Sequence, residues 1–224
     1  MNELALFAGA GGGILGGHLL GWRTVCAVEW EPYAACVLAA RQNDGLLPPF
    51  PIWDNVQTFD GRPWRGRVDV VSGGFPCQAY STAAAGQNIA DDLWPEMRRI
   101  VADVASRYVF AENVSRVAIE AAAKDLEKMG YAAKCISLSA QDMGGDHVRE
   151  RFWLLGDANG DGKPVGSQHE KACRLQELCK GVWERDPRSL RISHGVAARV
   201  DRLKAIGNGQ VPLCAATAWR LLTA

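Results

Sequence analysis

Residues 68–78 read Val68-Asp69-Val70-Val71-Ser72-Gly73-Gly74-Phe75-Pro76-Cys77-Gln78. An apolar run of strand length stops at paired glycines and is followed at once by a proline and a cysteine. One strand–helix–strand step later the run Tyr108-Val109-Phe110-Ala111 ends on Glu112, with Asn113 and Val114 behind it. Strands that end on reactive side chains suit an α/β sheet, where ligands gather outside the carboxyl ends of the strands. A thiolate is a strong nucleophile, and a nearby carboxyl can hold or deliver a proton. Cys77 and Glu112 are therefore the first candidates for catalytic residues.

Outward from this stretch, short apolar runs alternate with helical patterns, which predicts βαβ units around a mostly parallel sheet. The spacing predicts strands at 3–7, 24–28, 68–72 and 107–111, with a short one at 51–53 inside a loop over 45–66. It predicts helices from about Ile14, over 32–42, over 93–106 and over 115–129, the last stopped by Gly130. A long loop is expected from Gly73 to Ala90, and 131–138 and 151–155 read as closing strands. From Asp157 to about Gly195 the periodicity dissolves into a small inserted module. Helical pattern resumes at 196–206, breaks at Gly207-Asn208-Gly209 and returns from Pro212.

With 224 residues, 25 basic and 25 acidic side chains and 48% hydrophobic residues, the chain suits one globular domain with at most a small appendage. It has no 18-residue apolar run, so no membrane span is expected. The chain opens directly into a strand with no basic region before it, which points to an intracellular, cytoplasmic protein. The 7 cysteines include no Cys-x-x-Cys pair, so reduced thiols are expected rather than a disulfide framework or a metal cluster. Apart from Cys77 they read as small buried hydrophobes. Between Lys171 and Lys204, nine lysines and arginines face four acidic residues, a local basic stretch of the kind that phosphate contacts need.

The turn after the first strand is Phe7-Ala8-Gly9-Ala10-Gly11-Gly12-Gly13. Glycines there let backbone approach a ligand and open a helix N-terminus. The next strand ends at Val28-Glu29-Trp30, placing an acid that can hold ribose hydroxyls about twenty residues past the glycines. Trp30 offers a face for adenine. An adenosine-containing cofactor is the expectation.

Taken together, these residues resemble the cytosine-C5 DNA methyltransferases that use S-adenosylmethionine. The resemblance spans roughly residues 2–156 and 199–222, in the family's motif order. Leu6 to Gly12 is similar to its cofactor motif, Gly73 to Gln78 to its nucleophile motif and Glu112-Asn113-Val114 to its acid motif. His147-Val148-Arg149-Glu150-Arg151 resembles the paired-arginine motif, and Gly207-Asn208-Gly209-Gln210-Val211-Pro212 the last motif. The resemblance implies a Rossmann-like α/β methyltransferase fold with helices on both sheet faces. Residues 1–156 would form the catalytic and cofactor-binding domain, 157–198 a reduced recognition region, and 199–224 a segment returning to the first.

The resemblance also implies roles. Cys77 attacks C6 of a flipped-out cytosine, Glu112 holds or gives a proton at N3, and Arg151 faces the cytosine O2 and Cys77. Arg149 stands beside it for phosphate or Glu112. Phe7, Gly9, Gly11 and Gly12 belong to the cofactor turn; Glu29 takes the ribose hydroxyls and Trp30 the adenine face. Asp54, next to Asn55, meets the adenine amino group, and Leu93 lies against the cofactor. Asn208, with Val211 in the same motif, closes the methionine end. Ser81 touches a target-strand phosphate.

The chain departs from the family pattern in three places. Ala5 stands where the first motif usually has an acid, and His147 where many members have glutamine. Only about forty residues, 157–198, stand where a sizeable recognition domain is usual. This predicts a short or relaxed recognition sequence on double-stranded DNA, bound by a monomer. Much of the affinity would come from phosphate contacts by Arg174, Arg185, Arg188, Arg191, Arg199 and Arg202. The small size points to a bacteriophage or mobile-element origin. An RNA-directed member of the family and a non-catalytic binding relative are the competing readings. A nicotinamide-dependent dehydrogenase would explain the glycine turn but not Pro-Cys-Gln or Glu-Asn-Val.

Overall fold

The computed structural model describes residues 1–76, 92–145, 148–160, 201 and 207–224. Seven strands form one sheet: β1 (Asn2–Leu6), β2 (Arg23–Val28), β3 (Ile52–Trp53), β4 (Val70–Gly74), β5 (Tyr108–Asn113), β6 (Ala132–Leu138) and β7 (Arg151–Asp157). Their spatial order is β3-β2-β1-β4-β5-β7-β6. The pairs from β3 to β5 are parallel, while β7 enters between β5 and β6 and runs antiparallel to both. Five helices accompany them among the described residues: α1 (Gly12–Leu19), α2 (Pro32–Asn43), α3 (Trp94–Val104), α4 (Arg116–Lys128) and α5 (Pro212–Thr223). The expected mostly parallel α/β sheet is what forms.

Alternation along the strands splits the core. Leu4, Leu6, Val71, Val109 and Ala111 face α3 and α4. On α3 the buried side chains Met97, Ile100, Val101 and Val104 follow helical spacing, as do Ala118, Ile119, Ala122 and Leu126 on α4. Ser115 caps α4, its hydroxyl accepting from Ala118 N at 3.3 Å. On the other face Val70, Phe110, Trp153 and Leu155 pack with Trp22 and with α5, whose Trp219 meets Trp22 edge-on at 4.6 Å. Ala5 and Ala27 lie under α1 and α2 with Ile14 and Leu38. Helix α1 can press on α5 because Gly16 has no side chain: a Cβ there would lie 2.8 Å from Ala215 Cβ.

Three boundaries differ from the sequence reading in ways that matter for the site. Strand β4 runs on through Gly73 and Gly74, which the reading gave to the following loop. A Cβ on Gly73 would stand 2.6 Å from Leu6 O, so glycine is what allows the strand to continue there. Strand β5 likewise runs through Glu112 and Asn113, so both residues are fixed in the ladder. Leu93 precedes α3 as its capping residue rather than opening it. Of the cysteines read as buried, Cys26 and Cys214 are buried, but Cys36 on α2 is exposed. The expected recognition region lies almost wholly outside the described residues, as do Cys173 and Cys179.

Candidate active site

Two clusters form where the parallel strands end. In the first, Gly74 and Glu112 are neighbours in the β4–β5 ladder, and Glu112 pairs with Trp153 on β7. The Glu112 carboxyl is buried. Its Oε1 lies 3.0 Å from Arg151 Nε, and its Oε2 accepts from Gln210 Nε2 at 3.3 Å. Burial raises the Glu112 pKa, opposed first by the Arg151 charge, then by the Gln210 hydrogen bond and the Arg149 charge. A carboxyl balanced this way can serve as a proton donor or as a carboxylate. Gly74 makes room for it: a Cβ there would lie 2.7 Å from Glu112 Oε2.

Arg149 is engaged differently. Its Nη2 donates to Gly207 O at 2.6 Å and to Gly209 O at 2.7 Å, fastening the glycine turn before α5 to the chain entering β7. Burial, with Arg151 next, pushes its guanidinium pKa down. The sequence reading placed Arg149 toward phosphate or Glu112. The structure gives it two backbone carbonyls, with only its charge reaching Glu112.

Cys77 lies outside the described residues, as do Ser81, His147 and Arg174, Arg185, Arg188, Arg191, Arg199 and Arg202. The chain on either side of residues 77–91 is well held. Asn113 Nδ2 donates to Phe75 O at 2.8 Å, and Leu93 N donates to Pro76 O at 3.3 Å. Phe75 is buried, its ring 5.2 Å from that of Trp94. The segment that carries Cys77 therefore leaves from and returns to one point, beside the strand of Glu112.

The second cluster joins the ends of β1, β2 and β3. Phe7 (φ 51), Gly9 (φ 54) and Gly11 (φ 87) take left-handed backbone conformations that bend the chain from β1 into α1. Glu29, buried at the end of β2, accepts from Gly9 N at 2.6 Å through Oε2 and from Glu31 N at 2.7 Å through Oε1. Burial raises its pKa against the pull of those backbone donors. Trp30 beside it is 65% exposed, an unusual place for a tryptophan without a ligand to cover it. A Cβ on Gly9 would meet nothing within 4 Å, so the turn borders open space. The turn-forming glycines thus sit with a buried acid and an exposed aromatic face.

The remaining expected cofactor residues are more scattered. Exposed Asp54 follows β3 and accepts from Asn55 N at 2.7 Å, while Asn55 Oδ1 accepts from Gln57 N and caps a short turn. Leu93 is half-buried against the α3 core, Val211 packs half-buried on the α5 core, and Asn208 is exposed. Contact with the glycine turn itself is made by another residue of the last motif. The backbone of Gln210 closes on that turn, its carbonyl occupying the space a Gly12 Cβ would need.

With this geometry in place, comparison with known proteins is decisive. Residues 1–185 match the family described as C-5 cytosine-specific DNA methylase. The chain belongs to that family. Among relatives, the Type II methyltransferase M1.HphI of Haemophilus parahaemolyticus is 32% identical over 176 residues, covering 71% of this chain and 46% of the relative. The Type II methyltransferase M.Eco47II of Escherichia coli is 35% identical over 131 residues, covering 55% of this chain and 30% of the relative. The matched part of this chain thus covers less than half the length of either relative. The fold is shared with the S. pombe Dnmt2 methyltransferase (TM-score 0.59, 18% identity, 85% of this chain and 58% of that one).

Within the family fold, one residue of the first cluster escaped the sequence reading as a site residue. Gln210 stood there only as part of the last motif. A glutamine in a turn carries no mark of its partner in sequence, and Glu112 lies 98 residues away. Only the packing of α5 against α1 brings the two together.

Proposed function

We propose that this protein transfers a methyl group from S-adenosylmethionine to C5 of a cytosine in double-stranded DNA, through a covalent bond between Cys77 and C6. The observation that carries the reading is the buried Glu112, gripped by Arg151, on the strand whose neighbour leads within three residues to Cys77. The family description supplies the base and the reaction, and the relatives' names agree.

The residues of the second cluster fit the cofactor. The Glu29 carboxylate has lone pairs left to accept ribose hydroxyls, and the exposed Trp30 ring can cover adenine. The open side of Gly9 admits a ligand to the backbone. Bound there, S-adenosylmethionine supplies an electrophilic methyl group on a sulfonium.

The chain's own residues prepare the base. A stacked cytosine cannot reach a pocket at the sheet edge, so it is flipped out at a cost of a few kcal/mol. The Cys77 thiolate adds to C6 while Glu112 holds the proton at N3, and C5 becomes enamine-like. Arg151 fixes the Glu112 carboxyl and keeps cationic charge beside the ring. Once C5 carries the methyl group, a base takes the C5 proton, the electrons restore the C5–C6 double bond, and Cys77 leaves C6 as the thiolate.

The test is incubation with labelled S-adenosylmethionine and unmethylated duplex DNA, digestion to nucleosides, and detection of labelled 5-methyldeoxycytidine. Label from the wild type and none from Cys77→Ala is the expected result. Label in transfer RNA instead of DNA would replace the substrate, and no label in either would leave a protein that binds without catalysis.

A further inference from the structure

Gln210 stands between Glu112 and the first turn of α1. Its Nε2 donates to Glu112 Oε2 at 3.3 Å, while its Oε1 lies against Gly13. A Cβ on Gly13 would collide with that oxygen, and a Cβ on Gly74 would fall 3.0 Å from Nε2. Glycines on both sides therefore leave a slot shaped to the amide. The first turn of a helix presents N–H groups without intrahelical partners and favours an oxygen. A carboxylate favours the NH2 end. Both neighbours impose the same orientation on the amide.

We propose that Gln210 is a positioning residue for Glu112, coupling the turn that would hold the cofactor to the acid that would act on the base. This deepens the methyltransferase reading and rests on it for the word acid. The charged groups facing Glu112 among the described residues are Arg151 and Arg149, both on the β7 side. Arg151 can only donate, so it favours ionised Glu112 in every circumstance. An amide has both a donor and an acceptor end. Its donor end binds the carboxylate through Nε2, while its acceptor end Oε1 faces the first turn of α1. Gln210 is thus a neutral donor that favours ionised Glu112 and ties its position to the glycine turn.

The experiment follows the Glu112 carboxyl carbon by 13C NMR through a pH titration, with Glu112→Gln giving the assignment. It is run on the protein without cofactor or DNA for the wild type, Gln210→Leu and Gln210→Glu. Loss of the donor in Gln210→Leu moves the Glu112 midpoint to higher pH, and methyl transfer falls on the order of tenfold with its pH profile displaced in the same direction. Gln210→Glu keeps the shape of the slot if leucine does not fold, and its second carboxyl raises the Glu112 midpoint further. An unchanged midpoint with a uniform drop in rate would overturn the proposal, leaving Gln210 as packing. Absence of methylated product in the wild type would sink the methyltransferase reading instead, while the midpoint still decides the role of Gln210.

Discussion

Among the described residues, three buried glutamates line the same sheet, and their partners differ. Glu112 at the end of β5 is met by the guanidinium of Arg151 and the amide of Gln210. Glu29 at the end of β2 is met by two backbone N–H groups, from Gly9 and Glu31. Glu3, near the start of β1, is met by two hydroxyls: Ser72 Oγ donates to it at 2.6 Å and Thr24 Oγ1 at 2.7 Å. Burial raises the pKa of all three. What separates them is how each partner answers a change of charge. A guanidinium holds the carboxylate form, backbone amides hold its position, and hydroxyls can turn to suit either form. One element, the buried acid, thereby meets three kinds of partner, and the proposed function assigns proton work to the first and ligand contact to the second, leaving the third an interior place.

The largest effect tests the first of these. Glu112→Gln keeps the size of the side chain and removes its proton chemistry, so methyl transfer falls by roughly 10²- to 10⁴-fold, the usual contribution of a positioned acid or base. Thermal unfolding and cofactor affinity change little. A comparable loss of cofactor affinity would erase the division of labour between the two strand ends.

The second effect concerns Glu3, which is 1% exposed and has its pKa raised to about 7 from an ordinary 4.5. The folded protein holds this proton through a pH range in which the unfolded chain has released it. Stability is therefore lost as pH rises from about 4.5 to about 7, and the loss is complete above that. Glu3→Gln cannot ionise and escapes it. Relative to the wild type, the variant gains on the order of 3 kcal/mol across that rise in pH, read from denaturant unfolding at each step. A pH-independent difference would mean that Glu3 finds a compensating charge, which would make it resemble Glu112.

This contrast also shows what was legible in the sequence. Periodicity and the glycine turns revealed the parallel core, because β1, β4 and β5 carry apolar runs and α3 and α4 carry clean buried stripes. The strand-end placement of Glu112 and Glu29 was legible because each stands at the end of an apolar run. Glu3 was not, since a lone acid at the start of a strand looks like an exposed edge. The surroundings of Ala5 were also hidden. The motif's usual acid is missing there, yet the Glu3 carboxyl reaches Ser72, the residue paired with Ala5 in the β1–β4 ladder. Glu3 thus places a carboxyl two residues away on the same strand face, and no one-dimensional motif registers it. Gln210 and the Arg149 contacts with the glycine turn were hidden for the same reason, being consequences of how α5 docks.

The smallest effect probes Glu29. Glu29→Gln is nearly isosteric, but one end of an amide cannot accept, so either Gly9 N or Glu31 N loses its partner or a ribose hydroxyl does. Affinity for S-adenosylhomocysteine, read by calorimetry, falls by about tenfold, the worth of one hydrogen bond to a charged acceptor. Because the partners are backbone groups held where β1 and β2 run into their helices, the lost contact cannot be recovered by a side-chain rearrangement. Trp30→Ala, which removes an exposed ring without touching that network, should lower the same affinity by a similar factor and leave folding unchanged. If Glu29→Gln left affinity intact while destabilising the turn around Gly9, the acid would be a strut of the β1–α1 bend. It would then belong with Glu3 rather than with Glu112.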